Sequence, residues 1–171
     1  MEEYIAFLRG INISGKNKID MKDLKKEFEG LGFSNVKTYL NSGNVAYSAS
    51  NDNEKAIKEM ILESFGLDTG VYTVSKNHLK ELLNKAPSWW SEENTYNNLI
   101  FILNKEDPRL ICDMIGEPSK WEKIEILDEV IFHSFDKKNY QKCNYWKKSA
   151  AKGIGEKLTI RTANTLKKIV S

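Results

Sequence analysis

The chain has 171 residues, 40% of them hydrophobic and 29% charged, which is enough to bury a core as one domain or two small units and excludes a disordered segment. No apolar run approaches the ~20 residues needed to cross a bilayer, and the N-terminus opens with acids and enters a strand at once, unlike a secretory leader. The net charge of +2 hides an imbalance: residues 1–135 carry 16 Lys and Arg against 22 Asp and Glu, whereas residues 136–171 carry 10 against 2.

The apolar run over residues 3–9 predicts a first strand. A glycine-bearing loop follows, and Asp20 then caps a helix with Met21, Leu24, Phe28 and Leu31 on one face and Gly30 and Gly32 at its end. Residues 35–40 and 44–49 predict two strands joined by the tight turn Asn41-Ser42-Gly43 into an antiparallel hairpin. The next stretch, 51–66, predicts an amphipathic helix that turns Ala56, Ile57, Met60, Ile61 and Phe65 inward and stops at Gly66. With a fourth strand at 70–74 the order is βαββαβ, a ferredoxin-like antiparallel sheet with helices on one face.

A helix capped by Ser75, with Leu79, Leu82 and Leu83 inward, then runs to Pro87, and the order starts again. Residues 98–103 predict a strand, and 107–116 a short helix with Pro108 in its first turn. Residues 121–127 and 130–135 predict a hairpin around Asp128-Glu129, while 144–152 and 162–170 read as helices, with a last strand near 158–161. The expected fold class is α+β: two ferredoxin-like (βαββαβ-type) halves with antiparallel sheets, the second half incomplete or modified. The first half spans 1–75, a connecting helix and linker 76–97, and the second half with its basic helical C-terminus 98–171.

One set of residues carries a family likeness: Leu8-Arg9-Gly10-Ile11-Asn12, Met21 and Leu24, Leu31-Gly32-Phe33, Thr38-Tyr39, and Ser42-Gly43-Asn44-Val45. In these the chain closely resembles the bacterial family named for its domain of unknown function 1697 (DUF1697). The resemblance spans essentially the whole chain and is strongest over residues 4–48. Near the C-terminus that family tends to show Thr-x-Arg-Asn-Trp-Asn-Thr; here Thr159, Arg161, Asn164 and Thr165 match, and Thr162 and Ala163 stand where the asparagine and tryptophan would be. The resemblance implies a cytoplasmic bacterial protein of paired α/β halves and brings no known reaction with it.

The loop Gly10-Ile11-Asn12-Ile13-Ser14-Gly15-Lys16-Asn17 has the spacing of a nucleotide-triphosphate loop. Such a loop wraps phosphates in backbone amides, reaches them with its lysine, and holds magnesium through the Ser or Thr that follows. Asn17 stands in the hydroxyl's place, four residues separate Lys16 from the helix, and the cap, Asp20, would repel a phosphate. The acidic run 124–129 imitates a magnesium-aspartate strand but reads as a hairpin turn. The loop is a look-alike. A simpler anion site is expected instead. The first and third strands are antiparallel central neighbours, so Arg9, Gly10, Asn12, Gly15 and Lys16 should meet Ser42, Gly43 and Asn44 on one rim. Amides and a guanidinium there suit phosphate or carboxylate. In the plainer reading the glycines only turn the chain, Asn12 ties the loop down and Arg9 pairs with an acid. Arg161 and Asn164 are secondary candidates from the basic end.

Other chemistries find less in the sequence. An RNA-recognition sheet needs several strand aromatics, and the third strand offers only Tyr47. Lys137, Lys138, Lys142, Lys147, Lys148 and Lys152 interleave with Tyr140, Tyr145 and Trp146, a pattern that suits single-stranded nucleic acid or, more plainly, a helix anchored by its aromatics with lysines in water. His78 and His133 have no nucleophile or acid at recognisable spacing, so no catalytic residue is named, and no metal or cofactor motif occurs. A small enzyme acting on a phosphorylated metabolite, and a module that pairs its acidic front with a basic rear, remain as alternatives. Trp89 and Trp90 are expected to staple the linker. Cys112 and Cys143 lack redox or metal spacing and read as reduced thiols of a cytoplasmic protein.

Overall fold

A computed structural model describes the backbone of residues 1–171 and every side chain except that of Trp146. The chain divides into two units, residues 1–81 and 82–169. In the first, the order is β1 (Glu2–Leu8), α1 (Met21–Gly30), β2 (Ser34–Tyr39), β3 (Asn44–Ala49), α2 (Glu54–Phe65) and β4 (Val71–Ser75), and α3 (Lys76–Asn84) leads onward. The sheet order is β2-β3-β1-β4, all antiparallel. This is the split βαβ arrangement expected, with β1 between two partners. Ile5, Ala6, Phe7 and Leu8 are all buried, as a central strand covered on both faces requires.

Local chemistry sets the helix bounds. The Asp20 carboxylate accepts from the Lys22 amide at 2.7 Å and starts α1, while Leu24 and Phe28, four apart, drop onto the sheet. Gly66, with φ of 67°, ends α2 and returns its amide to the Leu62 carbonyl. Beneath the helices Phe28, Phe33 and Tyr47 form an aromatic cluster with ring centroids 4.7–6.1 Å apart. Tyr47 is therefore closed in on the helix-covered face and gives the sheet no platform for a base.

The second unit repeats the order. It comprises β5 (Thr95–Ile102), α4 (Pro108–Ile115), β6 (Glu122–Leu127), β7 (Val130–Asp136), α5 (Tyr145–Ala151), β8 (Leu158–Thr162) and α6 (Ala163–Val170). Its sheet runs β6-β7-β5-β8, position for position the order of the first. The final strand is present as β8. The modification lies in the second crossover, where a 3₁₀ turn over Lys137–Lys142, the seven-residue α5 and a 3₁₀ turn over Gly155–Lys157 replace one longer helix. Ile100, Ile111, Ile115, Ile131 and Leu158 pack with Tyr145 in the core. Trp90 staples the linker as expected: its indole N–H donates to the Asn98 carbonyl at 2.8 Å and its ring meets Phe132 edge-on at 5.0 Å. Thr162 accepts from the Thr165 amide and caps α6, the task an asparagine would perform there, and Ala163 is buried behind it.

Candidate functional site

The register Phe7↔Asn44 sets the end of β1 beside the start of β3, and the Leu8 amide donates to the Gly43 carbonyl at 2.8 Å. The two loops leaving those ends are laced together. Residues 12–17 form a small hairpin: the Lys16 amide donates to the Ile13 carbonyl (2.8 Å), the Asn12 amide to Asn17 (3.0 Å), and Ser14 and Gly15 both take positive φ, 49° and 75°, as a primed turn demands. The Asn12 side chain is the rivet. Its Nδ2 donates to the Ile19 carbonyl (3.1 Å) and across to Asn41 (2.7 Å), and its Oδ1 accepts from the Ile19 amide (2.9 Å). Asn17 holds the hairpin's root through the Gly10 carbonyl at 2.9 Å. On the facing turn Asn44 is fully buried and donates to the Tyr39 carbonyl and the Ser42 hydroxyl at 2.9 and 2.8 Å. Gly43 has φ of 84°, and a Cβ there would lie 2.8 Å from Leu8 and Ile11 atoms, so the turns touch where only glycine fits.

This lacing differs from the geometry of a triphosphate cradle. The Lys16 amide is committed across the hairpin, and α1 begins at Met21 behind an aspartate cap. It also divides the sequence candidates by task. Gly10, Gly15 and Gly43 shape the chain, and Asn12, Ser42 and Asn44 bind its own polar groups. Arg9 is half-buried, with its amide on the Gly70 carbonyl and its carbonyl accepting from the Thr69 hydroxyl. Lys16 is exposed. The structure adds residues that the sequence reading passed over: Lys18, Lys22, Ile19, Met21 and Asn41 join Asn12, Gly15 and Asp20 around an open depression of about 640 Å³. The signal was present as lysines at 16, 18 and 22 around the Asp20 cap. Among the described residues Lys16, Lys18 and Lys22 form no ion pair.

Arg161 and Asn164 belong to the second unit. Arg161 lies within β8, 7% exposed, and donates to the Thr159 hydroxyl (2.9 Å) and the Ile160 carbonyl (2.8 Å); burial lowers its guanidinium to about 10. Asn164 is exposed in the first turn of α6. Much of the basic stretch is employed internally. Lys152 donates to Met114 (2.7 Å) and Ile115 (3.3 Å) and closes the C-terminal end of α4, while the Lys148 ammonium donates to the Glu117 carbonyl in the segment that follows. Lys157 pairs with Glu106 at 3.2 Å. Tyr145 is fully buried; Trp146 lies outside the described side chains.

His133, left without a partner by sequence spacing, has one in space. Its Nε2 lies 3.3 Å from Glu122 Oε1, both side chains enclosed. The same carboxylate accepts from the Ser119 amide and hydroxyl (3.0 and 2.7 Å) and from the Asn144 and Tyr145 amides (both 3.1 Å). Burial pushes the Glu122 carboxyl up, but the hydrogen bonds from His133, Ser119 and Asn144 outweigh it and hold it at about 2. The group is a brace at the start of α5. Among the described residues no cluster of three His, Cys, Asp or Glu is placed to hold a metal, and no helix is long and apolar enough to cross a membrane.

The family model for a protein of unknown function, DUF1697, matches residues 1–132, the stretch that holds both laced loops. The chain belongs to the DUF1697 family. The matched stretch ends before the segment where Thr162 and Ala163 depart from the family pattern. The conserved bacterial protein SP0830 of Streptococcus pneumoniae shares the fold of this DUF1697 protein at 26% identity and a TM-score of 0.87, over 99% of this chain and 97% of that one. A protein of unknown role from Galdieria sulphuraria covers 94% and 96% of the two chains at 11% identity, but its TM-score of 0.27 is too low to indicate a common fold. No curated protein matches the sequence. The family is described as one of unknown function.

Proposed function

We propose that this protein binds a small phosphate- or carboxylate-bearing ligand on the rim where the β1 and β2–β3 loops are laced together. The observation that carries the reading is the pair Lys18 and Lys22, without ion pairs among the described residues, lining a depression whose walls are fixed by Asn12 and Asn41; Lys16 stands on the adjoining hairpin, and the carboxylate in the lining, Asp20, is engaged by the Lys22 amide. A pre-shaped wall lowers the ordering cost of capture, and ammonium groups supply donors and charge. Arg9 stands at the root of the same loop. Asn12, Ser42, Gly43 and Asn44 serve as positioning residues in this reading. The polyanion alternative draws less support, because Lys148, Lys152 and Lys157 already serve the protein's own carbonyls and carboxylate. The reading extends to a bacterial cytoplasmic protein, supported by the bacterial neighbour and by the free thiols Cys112 and Cys143.

Thermal denaturation in the presence of inorganic phosphate, sugar phosphates and nucleotides tests it. At least one should raise the melting temperature by mass action, with the rise shrinking as salt is added. Replacing Lys18 and Lys22 together by alanine should abolish the rise while moving the unliganded stability by no more than about 0.5 kcal/mol per site. A rise that survives the double substitution, or none with any ligand, overturns the proposal.

A further inference from the structure

We infer that the second unit carries a separate site for a small zwitterion of amino-acid type. The site is a cavity of about 370 Å³ at the end of the second sheet where β5 and β6 begin and β7 ends. That volume lies within the range of small-molecule sites. Strand pairing fixes its floor: Thr95 faces Asp136 and Lys123 faces Ser134, so side chains of three strands share one face. The floor is polar and ordered, with the Ser134 hydroxyl (2.5 Å) and the Thr95 hydroxyl (3.0 Å) both on Asn97 Oδ1. The linker closes one side with Glu92 and Glu93.

The lining has two properties that together choose a ligand class. First, its charges balance: Glu92, Glu93 and Asp136 stand against Lys120, Lys123 and Lys138. A phosphate or other pure anion meets three carboxylates, and a polyamine meets three ammoniums. A molecule with one ammonium and one carboxylate satisfies both signs, because complementarity works as much by rejecting the wrong charge as by attracting the right one. The Lys123–Glu92 contact at 3.5 Å shows the two signs already interleaved on the wall. Second, Trp121, half-buried, adds an apolar surface to the same cavity. Trp121 is fixed rather than loose: its carbonyl accepts from the Asp136 amide at 3.1 Å, and the Lys120 and Lys142 ammoniums lie 4.9 and 5.3 Å from its ring. An amino acid with an aromatic or branched side group matches this arrangement of two charges beside an apolar wall.

Titration calorimetry of the whole protein with free phenylalanine and leucine tests the inference. The controls are their N-acetyl and methyl-ester derivatives, each lacking one charge, together with inorganic phosphate and spermidine. At least one free amino acid should bind saturably, and either derivatisation should weaken it tenfold or more. Lys138→Glu, on an exposed side chain, should weaken binding by a similar factor, and Trp121→Ala should remove it. Should Trp121→Ala fail to fold, Lys138→Glu alone decides. No saturable heat with either free amino acid overturns the inference, as does a derivative that binds equally well or undiminished binding to Lys138→Glu.

Discussion

Glu122 shows how much one side chain carries. Five groups donate or lean toward its two oxygens, and its carboxyl is held at about 2 against an ordinary value near 4.5. Because the folded value is the depressed one, the carboxylate contributes stability in full above about pH 4.5, and the contribution is lost as pH falls toward 2. Urea titrations at pH 7 and pH 3 should therefore show a fall in stability on acidification that is smaller in Glu122→Gln. At pH 7 the variant should be weaker by about 3 kcal/mol, since an amide turns donors toward donors. Equal pH slopes for the two proteins would contradict the role. Gly43 is the matching case in the backbone. Gly43→Ala meets both a positive φ and atoms of Leu8 and Ile11 at 2.8 Å, so chemical denaturation should show a loss on the order of 2–4 kcal/mol, whereas Gly30→Ala, with open space around it, should not destabilise.

Elements were largely legible in the sequence because their causes are local. Asp20, Pro108, Gly66 and the period-four apolar faces set the helices, and the turns at Asn41-Ser42-Gly43 and Asp128-Glu129 set the two hairpins. What could not be read is where a side chain finds a partner 20 to 40 residues away. The sequence allows Asn12 as a loop tie or a ligand group, and only the fold shows its amide bridging to Asn41; the lysines in and after α5 suit a polyanion by spacing, yet Lys148 reaches back to Glu117 and Lys152 to the end of α4. Cations at or just beyond a helix end contribute about 0.3–1 kcal/mol each, so changing Lys148 and Lys152 together to methionine, which keeps the apolar stem, should lower stability by about 0.6–2 kcal/mol. Unchanged stability in urea titrations would show that these ammoniums do not hold α4 and the segment after it.

At the scale of the molecule, two sheets of identical strand order have no visible sequence repeat between them. The fold asks only for apolar positions of the right period, so it leaves the rims free to differ. The first unit displays lysines on its laced rim that form no ion pair among the described residues, and the second has a charge-balanced cavity. Anion capture belongs to the former. The most direct measurement is a phosphate titration of the isotopically labelled protein followed by amide chemical shifts. The account predicts saturable shifts concentrated in residues 9–22 and 41–44, lost in the protein lacking Lys18 and Lys22. Shifts that never saturate, or that fall outside those two loops, would contradict it.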